Sequence, residues 1–260
     1  MSRLRYSSGL KGLASLFVSV TIFLVIWEAI FRLGFYRSPF VPPPSTIAKA
    51  FVEMAYTGDL LSDIAVSLQR ALTGFAAGSL LGIAMGVLTG RIAVVDRSLG
   101  GLIRAFRSIP SIALVPLAIV WFGLGETAKI VLVAWGVFFP VWINSHIGAA
   151  RVPVPVIWAA RSLGASRVRL LSEVILPSAL PFVVAGMRTG MTIAFVVLVA
   201  AEMAGAFGGV GYRIYTSHLV FRVDRMMVGI IVLGMLGAVA DLVFATIIAS
   251  LPWSGSDEEV

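Results

Sequence analysis

The chain reads as an all-α polytopic membrane protein with six transmembrane helices, and three observations predict this. Of its 260 residues 59% are hydrophobic and only 13% charged, with a mean hydropathy of +0.99, beyond what a soluble domain sustains. The apolar residues come in runs of about 20, enough to cross roughly 30 Å of hydrocarbon at about 1.5 Å per residue. The basic residues fall between those runs and form no single patch, so topology explains the net charge of +7 better than nucleic-acid binding does. There are no cysteines, which excludes disulfides, thiolate metal sites and cysteine nucleophiles. No metal site is expected.

The spans are expected at about 12–31, 69–90, 106–124, 129–149, 179–203 and 226–250, within one domain covering 1–260. Arg3, Arg5 and Lys11 precede the first apolar run, which ends in Trp27-Glu28 without a small-x-small cleavage site; it reads as a retained span, not a signal peptide. Glu28 and Arg32, four apart, share one helical face and neutralise each other. Pro39, Pro42, Pro43 and Pro44 stop the helix. Ser45 is then expected to N-cap a short, surface-lying amphipathic helix with Ile47, Phe51 and Met54 on one side and Lys49 and Glu53 on the other.

In the second span Gly74, Gly78, Gly82, Gly86 and Gly90 recur every fourth position, so a neighbouring helix packs almost backbone to backbone. Static packing accounts for that stripe more simply than a sliding contact does. Pro110 and Pro116 predict a kink or a broken first turn in the third span. The fourth span carries Pro140, Asn144 and His146, the histidine read as a hydrogen-bonded packing residue and not a proton relay. In the fifth span, Arg188 is expected by default to snorkel toward the arginine-rich side, with pairing inside the bundle as the alternative. Glu202 opens the glycine-rich turn Glu202–Gly211 at the far end. Gly229, Gly234 and Gly237 are expected to pack the sixth span, which bears Asp241, and the acidic tail Ser254–Val260 is expected to fray.

Between the fourth and fifth spans lies the polar stretch Trp158–Pro181, WAARSLGASRVRLLSEVILPSALP. Ala159 and Ala160 let another surface approach the backbone, and Gly164 permits a sharp change of direction. Arg161, Arg167 and Arg169 hold the segment in water or at the headgroups. On composition alone it is equally an interfacial helix lying against anionic lipid. With the N-terminus inside, twelve of the 20 basic residues fall on inner segments, so both termini and the Trp158 stretch are expected in the cytoplasm.

The ordered spacing Ala-Ala, three residues, Gly, nine residues, Val-x-Leu-Pro (Ala159 to Pro177) resembles the cytoplasmic loop of ABC-importer permeases. The phrases AARSLGAS and VILPSALP look most like the nitrate, taurine, aliphatic-sulfonate and bicarbonate permeases. Trp158 stands where that family has glutamate and Val174 where it has isoleucine, so an ion pair made by that glutamate does not carry over. The resemblance implies a type I ABC importer permease fold, with a coupling segment at 155–177. There Trp158, Ala159, Ala160, Arg161, Ser162, Leu163, Gly164, Ala165, Ser166 and Arg167 would meet an ABC ATPase subunit. It further implies two ATPase copies carrying the ATP and Mg, an extracytoplasmic solute-binding protein and a second permease copy in a homodimer. The location implied is the bacterial inner membrane, surrounded by lipid, and the solute a small anion or organic acid.

The chain itself is not expected to be an enzyme or to bind a cofactor. It lacks H-E-x-x-H, G-x-S-x-G and the Gly-Lys pair of a phosphate-binding loop. Asn144, Ser145, Arg188, Thr189, Thr192 and Glu202 are candidate pathway residues, with interhelical hydrogen bonding as the competing reading. The alternative function is a secondary transporter or channel. That would call for intramembrane acids to couple ions, whereas Glu28, Glu202 and Asp241 are all expected near span ends.

Overall fold

The computed structural model describes residues 3–34 and 40–250; the acidic tail expected to fray lies outside them. The described residues form α1 (Arg3–Arg32), α2 (Pro44–Tyr56), α3 (Asp59–Arg91), α4 (Ala93–Arg107), α5 (Ser111–Phe122), α6 (Glu126–Ala150), α7 (Val154–Ser162), α8 (Arg167–Gly205), α9 (Val210–Leu219) and α10 (Val223–Ala249), with no strand among them. Of these α3, α6, α8 and α10 are long and apolar enough to cross a bilayer, and α4 with α5 makes a fifth crossing if the bent pair is counted as one. The expected first span falls on α1, a further continuous helix of 30 residues.

The core is a three-helix layer with α6 in the middle. A Cβ added to Gly74, Gly78, Gly82, Gly86 or Gly90 of α3 would lie 2.5–2.9 Å from atoms of α6, among them the carbonyls of Ala134, Phe138, Trp142 and His146. No side chain fits there, so the two backbones touch along the whole stripe. On the other side of α6, a Cβ at Gly186 of α8 would meet Asn144 Cβ at 2.8 Å, and one at Gly148 of α6 would meet Phe182 Cβ at 2.8 Å. Val133, Val137 and Val141 of α6 are fully buried between Ala71 and Phe75 on one side and Ala194 and Leu198 on the other. Thr89 Oγ1 adds a polar stitch, accepting from Trp142 Nε1 at 3.2 Å and lying 3.0 Å from His146 Nδ1.

At about 1.5 Å per residue, the 33 residues of α3 reach roughly 50 Å and the 39 of α8 roughly 58 Å, well past the roughly 30 Å of hydrocarbon. The N-terminal turns of α3 carry the polar residues Asp59, Asp63, Ser67 and Arg70, and the start of α8, at the opposite end of the layer, contains a π turn at Leu170–Ile175.

Residues 106–124 are not one helix. The chain bends by 88° between α4 and α5, turning at Pro110, whose backbone is extended. Pro116 sits in the first turn of the following helical segment, where its missing N–H costs nothing. The expected kink is therefore a full corner, with α4 directed away from the helix it precedes.

Three local expectations are corrected. Ser45 does not cap α2; Pro43 occupies the cap position, and Ser45 donates its backbone N–H and its hydroxyl to the Glu28 carboxylate at 3.0 and 2.8 Å. Glu28, which also accepts from Arg32 Nε at 2.8 Å, thus supplies from α1 the negative charge that the N-terminus of α2 favours. The buried face of α2 is Ile47, Ala50 and Met54, packed on Leu60, Val210, Ile214 and Val228, while Phe51 points outward. In α10 only Gly229 packs, against Ile214; Gly234 and Gly237 face open space.

Candidate functional site

Two polar regions lie at opposite ends of the α3–α6–α8 layer. The first is the handle formed by α7 and the start of α8. Residues 153–154 start α7 favourably, since Pro153 has the extended conformation of a cap residue. Its end is a Schellman motif: Gly164 N–H donates to Arg161 O at 2.9 Å, Ala165 N–H donates to Ala160 O at 3.0 Å, and Gly164 takes φ +82°. That left-handed position explains the glycine. Ser166 then caps α8, its hydroxyl accepting from Arg169 N–H at 3.3 Å.

The handle is anchored and open at once. Ile157, Leu170 and Ile175 are buried against Val87, Val152 and Ala149, where α3 and α6 end. Facing outward are Trp158 at 63%, Leu163 at 88% and Val168 at 74% exposure. Arg161, Arg167 and Arg169 are exposed around them. Large apolar side chains thus project beside arginines on an elbow packed against the ends of α3 and α6, the composition of a protein- or membrane-contact surface. A Cβ at Gly164 would meet nothing within 4 Å in this chain, so space inside the chain does not restrict that position; backbone conformation does.

The second region seals the other end. Glu202 is fully buried. Its carboxylate receives Arg70 Nη1 at 2.7 Å, Gly211 N–H at 2.8 Å and the Ser67 hydroxyl at 2.8 Å. Arg70 also forks onto Glu126 through Nε and Nη2 and donates to Gly208 O at 2.7 Å. Asp63 accepts from Gly209 N–H at 2.8 Å and from Arg213 Nε at 2.6 Å. Burial alone would lower the pKa of Arg213, but the hydrogen bond and charge of Asp63 outweigh it and raise the value above that of an ordinary guanidinium. The N-terminus of α9 thus points its free N–H groups at two carboxylates and the Ser67 hydroxyl. Side chains at Gly209 or Gly211 would strike Glu202; the glycine-rich turn is a cradle for that carboxylate.

Of the candidate pathway residues, the structure brings together only some. Arg188, Thr189 and Thr192 share one exposed face of α8. Arg188 does not snorkel; it pairs with Asp241 of α10, Nε to Oδ1 and Nη2 to Oδ2, both at 2.8 Å. Thr189 bonds back to Ala185 O at 3.1 Å. Asn144 Nδ2 donates to Pro140 O of its own helix at 2.8 Å, and Ser145 is fully buried against Gly86. Glu202 belongs to the sealed cluster and lines nothing open. It is also a buried acid where none was expected, although Arg70 holds it.

Asp63, Ser67, Arg70, Glu126 and Arg213 were not singled out from the sequence. One signal was present: Asp63, Ser67 and Arg70 continue the glycine stripe backward at spacings of four, three and four to Gly74, so they share its buried face.

Residues 78–251 match the family described as binding-protein-dependent transport system inner membrane component. A putative aliphatic sulfonates transport permease protein of Bacillus subtilis is 36% identical over 220 residues, covering 85% of this chain and 80% of that protein. The taurine transport system permease protein of Escherichia coli is 32% identical over 243 residues, covering 91% and 88%. Among solved structures, an inward-facing MetNI methionine ABC transporter chain superimposes with a TM-score of 0.65 at 23% identity, covering 75% of this chain and 96% of that one. The helical layer, the elbow between α6 and α8 and these matches lead to one conclusion: the chain belongs to the family of inner-membrane permease components of binding-protein-dependent ABC transport systems.

Proposed function

We propose that the chain is the permease subunit of an importer in which two copies enclose a solute pathway and two separate ATPase subunits, holding ATP and Mg, grip the handles. The permease binds no cofactor itself. Both termini and the handle face the cytoplasm, lipid surrounds the helices, and an extracytoplasmic solute-binding protein delivers solute at the end sealed by Glu202. The solute is a small oxyanion of the kind named for the relatives, a sulfonate or taurine, with nitrate and bicarbonate in the same class.

The observation that carries this reading is the handle. Trp158, Leu163 and Val168 stand exposed on an elbow whose buried anchors tie it to the ends of α3 and α6, and whose second arm runs without interruption into α8. A push on the elbow is therefore transmitted to α8 directly. Because α3 and α6 touch through the glycine stripe, they follow as one body. The acid that a secondary transporter would need for ion coupling is already committed to Arg70, so that reading is not favoured.

Gly164→Trp tests the proposal in the assembled importer reconstituted in liposomes. The left-handed backbone makes any side chain there cost about 1–2 kcal/mol, so the protein still inserts and folds. ATP turnover is expected to continue while solute uptake falls to background. Unchanged uptake by Gly164→Trp would refute the coupling role.

A further inference from the structure

The two arginines that face acids inside the helical layer are used very differently. Arg70 spends Nε, Nη1 and Nη2 on Glu126, Glu202 and Gly208 and is almost fully enclosed. Arg188, near the middle of α8, meets Asp241 side-on through Nε and Nη2 only, and the two side chains remain 60% and 39% exposed. A guanidinium has five N–H donors in a planar fork. The end-on fork of Arg188, Nη1 with the second N–H of Nη2, has no partner among the described residues. Thr189 and Thr192 lie beside it on the same exposed face.

Such a pair is expensive against lipid, and charges of this kind face a bundle interior or a water-filled cavity. Resting on the permease reading, which makes this face part of the pathway, we propose that Arg188 is a transient binding site for small monovalent oxyanions, carboxylate or sulfonate. Asp241 is its built-in competitor. In the empty pathway the Asp241 carboxylate neutralises Arg188. An arriving oxyanion takes the open end-on fork with a matching pair of oxygens, while the Asp241 carboxylate, still held on Nε and Nη2, opposes it by its like charge. The competition keeps binding weak, as a conducting site requires, since an anion held by an unopposed arginine would not leave.

The test uses the full chain in lipid nanodiscs without partners, so it does not depend on coupling. Methanesulfonate, acetate and methylammonium are titrated by calorimetry. Asp241→Asn is expected to bind at least one of the two anions on the order of tenfold or more tighter than the unaltered chain. The double variant Arg188→Gln with Asp241→Asn, which keeps a neutral hydrogen-bonding pair, is expected to bind neither. Binding of only one anion identifies the class; binding of both means the fork reads any paired oxygens. Methylammonium is expected not to bind. On the unaltered chain, which removes any question of misfolding, methanesulfonate or acetate is expected to protect Arg188 from phenylglyoxal, read by mass spectrometry. The proposal is overturned if Asp241→Asn binds no tighter, if the double variant binds as well as the single one, if methylammonium binds equally, or if neither anion protects Arg188. Any of these would leave the Gly164→Trp result standing, so the two readings fail separately.

Discussion

The same three helices end in opposite ways. Where α3 begins and α8 finishes, the charges of Asp63, Arg70, Glu202 and Arg213 all have partners within the chain, and Glu202 sees no solvent. Where α3 finishes and α8 begins, the side chains that matter are apolar, and Trp158, Leu163 and Val168 have nothing over them. An end whose polar groups are mutually satisfied holds its shape alone, while one that leaves large apolar groups exposed is, on the proposed reading, the end that a partner covers.

Substitutions at each end would sharpen or break that contrast. The largest effect is expected from Glu202→Ala, which leaves Arg70 with Glu126 alone as its counter-charge and strips Gly211 N–H and the Ser67 hydroxyl of their buried acceptor; removing one partner of a buried pair costs about 3–5 kcal/mol, so thermal unfolding in detergent should shift far down and the yield of monodisperse protein should collapse. If the variant unfolds like the parent, the sealed end is not what holds the layer. Between the two ends, Gly78→Leu forces a side chain into the space where even a Cβ would lie 2.5 Å from Ala134 O. Overpacking of about 1–3 kcal/mol is expected, with Gly234→Ala, which meets nothing within 4 Å, as a neutral control in the same melting assay. The smallest change in stability belongs to Leu163→Asp, within about 0.5 kcal/mol for a surface site. Its consequence is expected in association: co-purification of the ATPase with the permease should be lost although the permease melts normally. A handle variant that unfolds the chain, or one that leaves ATPase capture intact, would erase the distinction.

Much of the layer was legible because its signals are local. Apolar runs of span length fall on α3, α6, α8 and α10, and the four-residue recurrence of Gly74 to Gly90 marks the face that meets α6. The turn at Gly164 was legible for the same reason, since a small residue closing a short polar helix needs no knowledge of the rest of the chain. Charges were harder. Glu28 and Arg32, four apart, could be paired from helical spacing, but Arg70 and Glu202 are 132 positions apart and Arg188 and Asp241 are 53 apart. Nothing in helical periodicity says which turn of α3 stands level with which turn of α8. For that reason Arg188 read by default as a snorkelling residue and Glu202 as a turn or pathway residue. The 88° corner was underestimated because proline marks where a helix is weak, while the packing around it decides how far the chain turns.

The π turn at Leu170–Ile175 has a consequence for assembly. Along α8 the inward-facing positions Ile175, Ala179, Val183 and Gly186 are separated by steps of three or four, but Leu170 and Ile175 are five apart and both still face in. One surplus residue has been absorbed so that the two arms of the elbow keep the same azimuth. Deleting it would restore an ordinary winding and turn the residues upstream by about 100° around the helix axis, taking Trp158 and Leu163 off their present bearing and breaking the packing of Leu170 and Ile157 on Ile175. The wide turn is a phase setting, by which one residue more or less determines the bearing on which Trp158 and Leu163 project.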